Sequence, residues 1–149
     1  MDEAIRLSLE NVKNGGGPFG AVIVKDGEIV ARGANGVAHT NDPTAHAEVV
    51  TIREACRVLG TFQLNGCELY TSCEPCPMCL GAAYWARLDY VYFGNTASDA
   101  AAIGFDDAFI YEELNKKHAE RRIPMEQLGR EEALIAFRSW QEKNDKIKY

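Results

Sequence analysis

The stretch "LYTSCEPCPMCLGAAYW", residues 69–85, sets Cys73, Cys76 and Cys79 at successive three-residue steps, with prolines at positions 75 and 77. "CELYTS" reads as a β-strand, and the prolines open a helix near residues 75–77 that runs through "MCLGAAYWARL". A strand-to-helix junction therefore carries the thiols. Cys76 and Cys79, at i and i+3, share one face of that helix. A helix N-terminus favours negative charge and so helps to form thiolates. Thiols at this spacing point to metal chemistry first and redox chemistry second.

Working upstream, "NDPTAHAEVVTIREACRVLG" gives a helix capped by Asp42-Pro43-Thr44 and closed by Gly60. Its apolar face includes Val49, Ile52, Cys56 and Leu59. His46, near the first turn, is the candidate third ligand beside Cys76 and Cys79. Three protein ligands leave one position of a tetrahedral zinc for water, the arrangement of a catalytic site. Glu48 lies two residues on, about 200° round a helix, so it does not meet the metal face-on. Near a helix start its longer side chain reaches the water position instead, where a general acid/base is needed. A structural zinc would require a fourth ligand, and neither His39 nor His118 is placed to supply it. An iron–sulfur cluster needs four thiolates, and Cys56 and Cys67 have no matching spacing.

The remaining elements follow from periodicity and turn chemistry. Residues 2–13 form a helix with Ile5, Leu9 and Val12 at helical spacing, ended by "NGGGP". "FGAVIVKDGEIVARGAN" is a hairpin turning at Asp26-Gly27. "DYVYFG" is a fourth strand, and residues 97–118 are mostly helical, with "GFDDAF" a loop or helix start. "RRIPMEQL" supplies a fifth, edge strand, since Pro124 would interrupt a central one. "REEALIAFRSWQEKN" is an amphipathic helix with Leu134, Phe137 and Trp140 inward. The order predicts an α/β fold, a three-layer α/β/α sandwich around a mixed five-stranded sheet, in a single domain over residues 1–149.

Length and charge bound the function. The chain has 149 residues, 46% hydrophobic and 26% charged, with no apolar run near the ~18 residues of a membrane span. The net charge of −6 offers no basic stripe for a long nucleic acid. The clusters Lys116–Lys117, Arg121–Arg122 and Lys143–Lys148 are short and interleaved with acids, as on solvated helix faces. A small-molecule substrate fits this balance, with no nucleic acid or membrane partner. Five cysteines and no export signal argue against a disulfide framework and for a cytoplasmic location.

H-x-E followed by P-C-x-x-C is the signature of zinc-dependent nucleobase deaminases, and "TAHAEV" with "CEPCPMC" matches both halves in order. With "GGPFGAVIVKDG", "LYTSCEPCPMCLGA" and "YWAR", the chain resembles the cytidine-deaminase-like superfamily, and within it the bacterial guanine deaminases, which convert guanine to xanthine and ammonia. "GFDDAFIY", residues 104–111, resembles their substrate-recognition stretch, and Tyr149 matches their terminal tyrosine. The resemblance implies zinc as cofactor, with His46, Cys76 and Cys79 as its ligands and Glu48 as the catalytic acid/base. Cys73 is left as a bystander at the strand end.

The resemblance also implies substrate contacts at Phe19, Asn35, Ala47, Trp85, Asp107 and Tyr149. Phe19 would be an aromatic wall for the flat purine, and Asn35 would offer a donor and an acceptor to a base edge. Asp107 would accept from purine N–H groups, and Trp85 would close the pocket. On composition alone, Asn35 is equally a turn residue, "DD" a helix cap and Trp85 core. In similar enzymes the C-terminal segment crosses to a partner subunit, which implies a homodimer with residues 130–149 swapped. Guanosine deaminases and tRNA adenosine deaminases share much of the pattern and are the nearest alternatives. A zinc-binding or redox module without hydrolytic activity is the alternative from another class.

Overall fold

The computed structural model describes residues 1–105 and 107–148. The chain divides into two compact units, Met1–Ala108 and Phe109–Tyr149. The first begins with helix α1 (Asp2–Lys13), followed by strands β1 (Gly20–Lys25) and β2 (Glu28–Ala34) and a single turn, α2 (Val37–Thr40). Helix α3 (Ala47–Leu59), strand β3 (Cys67–Cys73), helix α4 (Pro77–Trp85), strand β4 (Tyr90–Asn95) and helix α5 (Ala97–Ala102) complete it. The sheet order is β2-β1-β3-β4. β1 runs antiparallel to both β2 and β3, and β3 runs parallel to β4, so the sheet is mixed as expected. The hairpin turns at Asp26 and Gly27, both at positive φ (51° and 83°), the two-residue turn that suits the strand twist.

Helices cover both faces of this sheet. A side chain at Gly20 would meet Ala4 O and Ser8 N at 2.4 and 2.6 Å, so α1 lies directly on β1 there. Ala21 points the other way, and its carbonyl accepts a hydrogen bond from Thr51 Oγ1 of α3 at 3.3 Å. The core between sheet and helices is built from Ala21, Ile23, Ile52, Ala55, Leu64 and Leu69, all buried. Val49 and Ile52 are buried as the apolar spacing of α3 requires, with Cys56 and Leu59 packed at the edge.

Two expectations fail, and the first helix buries its less apolar face. The sheet has four strands, not five. The segment around Pro124 is held instead by polar contacts to the preceding helix, α6 (Ala108–Asn115): Arg121 donates to Lys116 O and Leu114 O, and Arg122 N donates to Glu113 at 2.6 Å. In α1 the buried residues are Ala4, Ser8 and Asn11, whereas Ile5, Leu9 and Val12 are exposed. The close approach at Gly20 admits the small face, not the bulky one. In the last helix, α7 (Arg130–Glu142), Leu134 is only half-buried, and Phe137 and Trp140 are 71% and 43% exposed. No described residue beyond Ala108 is buried. Among the described residues, no helix is long and apolar enough to cross a membrane.

Candidate metal centre and cavity

Two helix starts build the site. His46 is the N-cap of α3 and Cys76 the N-cap of α4, both with extended backbone (ψ 152° and 168°) and neither bonding its own helix through its side chain. An N-cap side chain normally satisfies a free helix N–H; these two face each other instead. The helix thus begins at Ala47, beyond the Asp42-Pro43-Thr44 cap that the sequence suggested. Asp42 caps only a local turn, accepting from the Thr44 amide and hydroxyl at 2.8 and 2.7 Å. Cys79 lies one turn into α4 and is fully buried. His46 Nδ1 is 3.6 Å from Cys76 Sγ and 3.5 Å from Cys79 Sγ, and the three ligand atoms all lie within 4.8 Å of one another.

That spacing fits zinc. Bonds of ~2.0 Å to nitrogen and ~2.3 Å to sulfur at tetrahedral angles separate N and S ligands by about 3.5 Å. The electrostatics agree. The hydrogen bond from Cys79, with help from His46, pulls the Cys76 thiol pKa well down. The same Cys76–Cys79 bond and burial push the Cys79 thiol up. Contact with Cys76 raises His46 against the opposing effect of burial. Two sulfurs sharing a proton beside an imidazole is what a divalent cation replaces.

Glu48, on the first turn of α3, is 5% exposed. Its Oε1 accepts a hydrogen bond from the buried Thr71 hydroxyl at 3.0 Å, and burial raises its pKa from the ordinary glutamate value. The residue lines a cavity of about 630 Å³ together with His46, Cys76, Phe19, Asn35 and Asp107. Phe19 meets Phe105 edge-to-face with ring centroids 4.9 Å apart. Asn35 presents its side chain to the cavity, with Oδ1 accepting from Val37 N at 3.3 Å. Cys73 lies on the cavity wall, its thiol directed to Thr96 O at 3.7 Å and its pKa pushed up to about 11 by burial. It stands outside the three-ligand cluster among the described residues.

Two expected contacts are elsewhere. Ala47 is fully buried in the core beneath the site and does not line the cavity. Trp85 ends α4, 65% exposed with Arg87 over its ring at 6.0 Å, and is also off the cavity. Tyr149 lies outside the described residues. Three residues were missed. Thr71 supports Glu48, and its polar side chain in an apolar strand was the available signal. Phe105 stood inside "GFDDAFIY" but was not read as a wall. Glu74 accepts from Ala97 N at 2.9 Å and so ties the end of β3 to the start of α5, which leads into Gly104 and Phe105 of the cavity wall.

Comparison with known proteins agrees with this geometry. Residues 1–95 match the family model for the cytidine and deoxycytidylate deaminase zinc-binding region. The guanine deaminase of Bacillus subtilis is 55% identical over 150 aligned positions, covering 100% of this chain and 96% of that protein. The tRNA-specific adenosine deaminase of Aquifex aeolicus is 48% identical over only 60% of each chain. The X-ray structure of the Bacillus subtilis enzyme superposes with a TM-score of 0.96 at 56% identity, covering 99% of this chain and 95% of that one. A guanine deaminase structure from Nitrosomonas europaea gives 0.68 at 34% identity, covering 71% and 62%. A structure solved with 8-azaguanine gives the same score, identity and coverage. The chain belongs to the cytidine and deoxycytidylate deaminase family, in its guanine deaminase branch.

Proposed function

We propose that this protein hydrolyses guanine to xanthine and ammonia at the cavity above α3 and α4, with zinc held by His46, Cys76 and Cys79. The observation that carries the reading is a buried carboxyl, Glu48, in the same cavity as a three-ligand cluster with zinc spacing. Zinc bound there supplies Lewis-acid activation of the water that attacks C2. Glu48 takes one proton of that water and passes it to ring N3, then takes the second from the new C2 hydroxyl and delivers it to the departing amine, so that water and guanine give xanthine and ammonia in balance. Burial raises its pKa, which suits a group that must hold a proton between these transfers. Thr71 fixes one carboxyl oxygen. Phe19 and Phe105 offer ring surface to the base, Asn35 its amide, and Asp107 an acceptor for purine N–H groups. Their neighbours on the wall are largely apolar, which keeps the base edge away from bulk water.

The reading extends to assembly. We take the active form to be a homodimer in which residues 130–149 cross to the partner subunit and Tyr149 reaches its cavity. The exposed Phe137 and Trp140 of α7 support this, since apolar side chains of this size seek a covering surface. A cytoplasmic role in purine breakdown fits five free cysteines. The functional test is a panel of guanine, guanosine and a tRNA stem-loop adenosine, followed by ultraviolet absorbance and product identification. Guanine turns over fastest; inert guanine, or preferred turnover of either competitor, overturns the assignment.

A further inference from the structure

One part of the cavity wall stands on a glycine-rich loop. Gly15, Gly16 and Gly17 precede Phe19, and three successive glycines give the chain maximal freedom. Beside backbone bonds from Gly15 N to Val12 O and Gly16 N to Asn11 O, one buried side chain ties this loop to a second segment. Asn11, 9% exposed on the sheet-facing side of α1, spends both amide hydrogens on two carbonyls from different segments. Its Nδ2 donates to Gly17 O at 2.7 Å and to Asn35 O at 2.9 Å. Gly17 O also accepts from Phe19 N at 2.8 Å, and Asn35 N donates to Phe19 O at 3.0 Å. The backbone of Phe19 is therefore clasped between the two residues that Asn11 holds. Gly16 completes the clasp, its N–H donating to Asn11 O at 2.8 Å. A side chain at Gly16 would sit 2.4 Å from Asn11 Nδ2 and 2.6 Å from Oδ1.

We infer that Asn11 is a positioning residue for substrate: through Gly17 and Asn35 it fixes the place of Phe19 and the Asn35 amide on the cavity wall. It touches no reacting atom. Neither Asn11 nor Gly16 belongs to the metal cluster or to the Glu48–Thr71 pair, so the inference separates binding from chemistry. It rests on the guanine deaminase reading for its kinetic arm only.

The test compares the zinc-loaded wild type with Asn11→Ala, Gly16→Ala and the double variant. In Asn11→Ala the KM for guanine rises about tenfold, the effect of one lost buried hydrogen-bond pair, while kcat stays within about twofold and zinc content is unchanged. Gly16→Ala displaces the same amide and raises KM similarly. The double variant is no worse than Asn11→Ala alone, because the clash partner has gone. Hydrogen exchange then quickens in residues 14–19 and 34–37 and nowhere else in Met1–Ala108. An equal fall in kcat and kcat/KM, additive effects in the double variant, or exchange that is unchanged or quickened throughout would overturn the clasp. Should Asn11→Ala fail to fold, Gly16→Ala carries both arms. A wild type inert to guanine overturns the functional reading alone, and the exchange arm still decides the clasp.

Discussion

The two units of the chain are opposites in how they bury their apolar residues. Met1–Ala108 holds every buried residue among those described, including Ile23, Leu64 and Leu69 at no exposure, and also the metal cluster, Glu48 and the cavity. The unit from Phe109 onward has three helical elements: α6, the short 3-10 turn His118–Glu120 and α7. It holds Phe109, Ile123, Leu128, Ile135 and Phe137 at its surface and no buried residue among those described. Apolar side chains contribute stability only when water leaves them. The first unit carries its chemistry on a core of its own, whereas the second has the apolar composition of a packed element and no buried residue among those described.

The sharpest break of that comparison is at the metal. Cys76→Ser removes a thiolate and should take zinc from about one per chain toward none, whereas Cys73→Ser should leave it in place. Metal analysis of the two purified variants checks this, and zinc loss from Cys73→Ser would refute the assignment of ligands. The core comes next. Leu69→Ala should cost about 2–5 kcal/mol in denaturant unfolding, as a fully buried leucine does. Phe137→Ala should cost about 0.5 kcal/mol or less in dilute protein. If a second copy covers α7, that cost grows with protein concentration; a small cost at all concentrations would count against the dimer.

The smallest effect lies on the surface. Glu3 accepts from Arg6 at 2.7 Å and from Arg32 of β2 at 2.9 Å, and these bonds, that to Arg6 first, lower its pKa from 4.5 to about 2. A depressed carboxylate stabilises the fold above its unfolded pKa and loses that contribution as pH falls through its folded one. Glu3→Gln should therefore lower the denaturation midpoint slightly at neutral pH, with variant and wild type converging between about pH 4.5 and 2. A constant difference across that range would contradict the ion pair.

Much of the first unit was legible because its signals are local. Asp26-Gly27 names its own turn, β-branched runs mark β1 to β3, and "HAE" with "PCPMC" carries the ligands and Glu48 in two short segments. What stayed hidden depends on which surfaces meet. The apolar stripe Ile5–Leu9–Val12 was real as a pattern, but the backbone contact at Gly20 selects Ala4, Ser8 and Asn11 for burial. Periodicity locates apolar residues; it does not say which face packs. The same limit hid Asn11 and misplaced Leu134, Phe137 and Trp140. Pro124 allowed an edge strand without supplying a partner for one. Trp85 is exposed at the end of α4, since aromatic size alone does not choose between cavity, core and surface.

The account rests most on Glu48 as the proton carrier of a zinc-dependent guanine deaminase. Its most direct test is xanthine release from guanine by wild type and Glu48→Gln, with zinc measured in the same samples. The expected result is turnover by wild type, a fall in kcat of about 10²–10⁴-fold in the variant, and equal zinc in both. Undiminished turnover by Glu48→Gln would contradict the account.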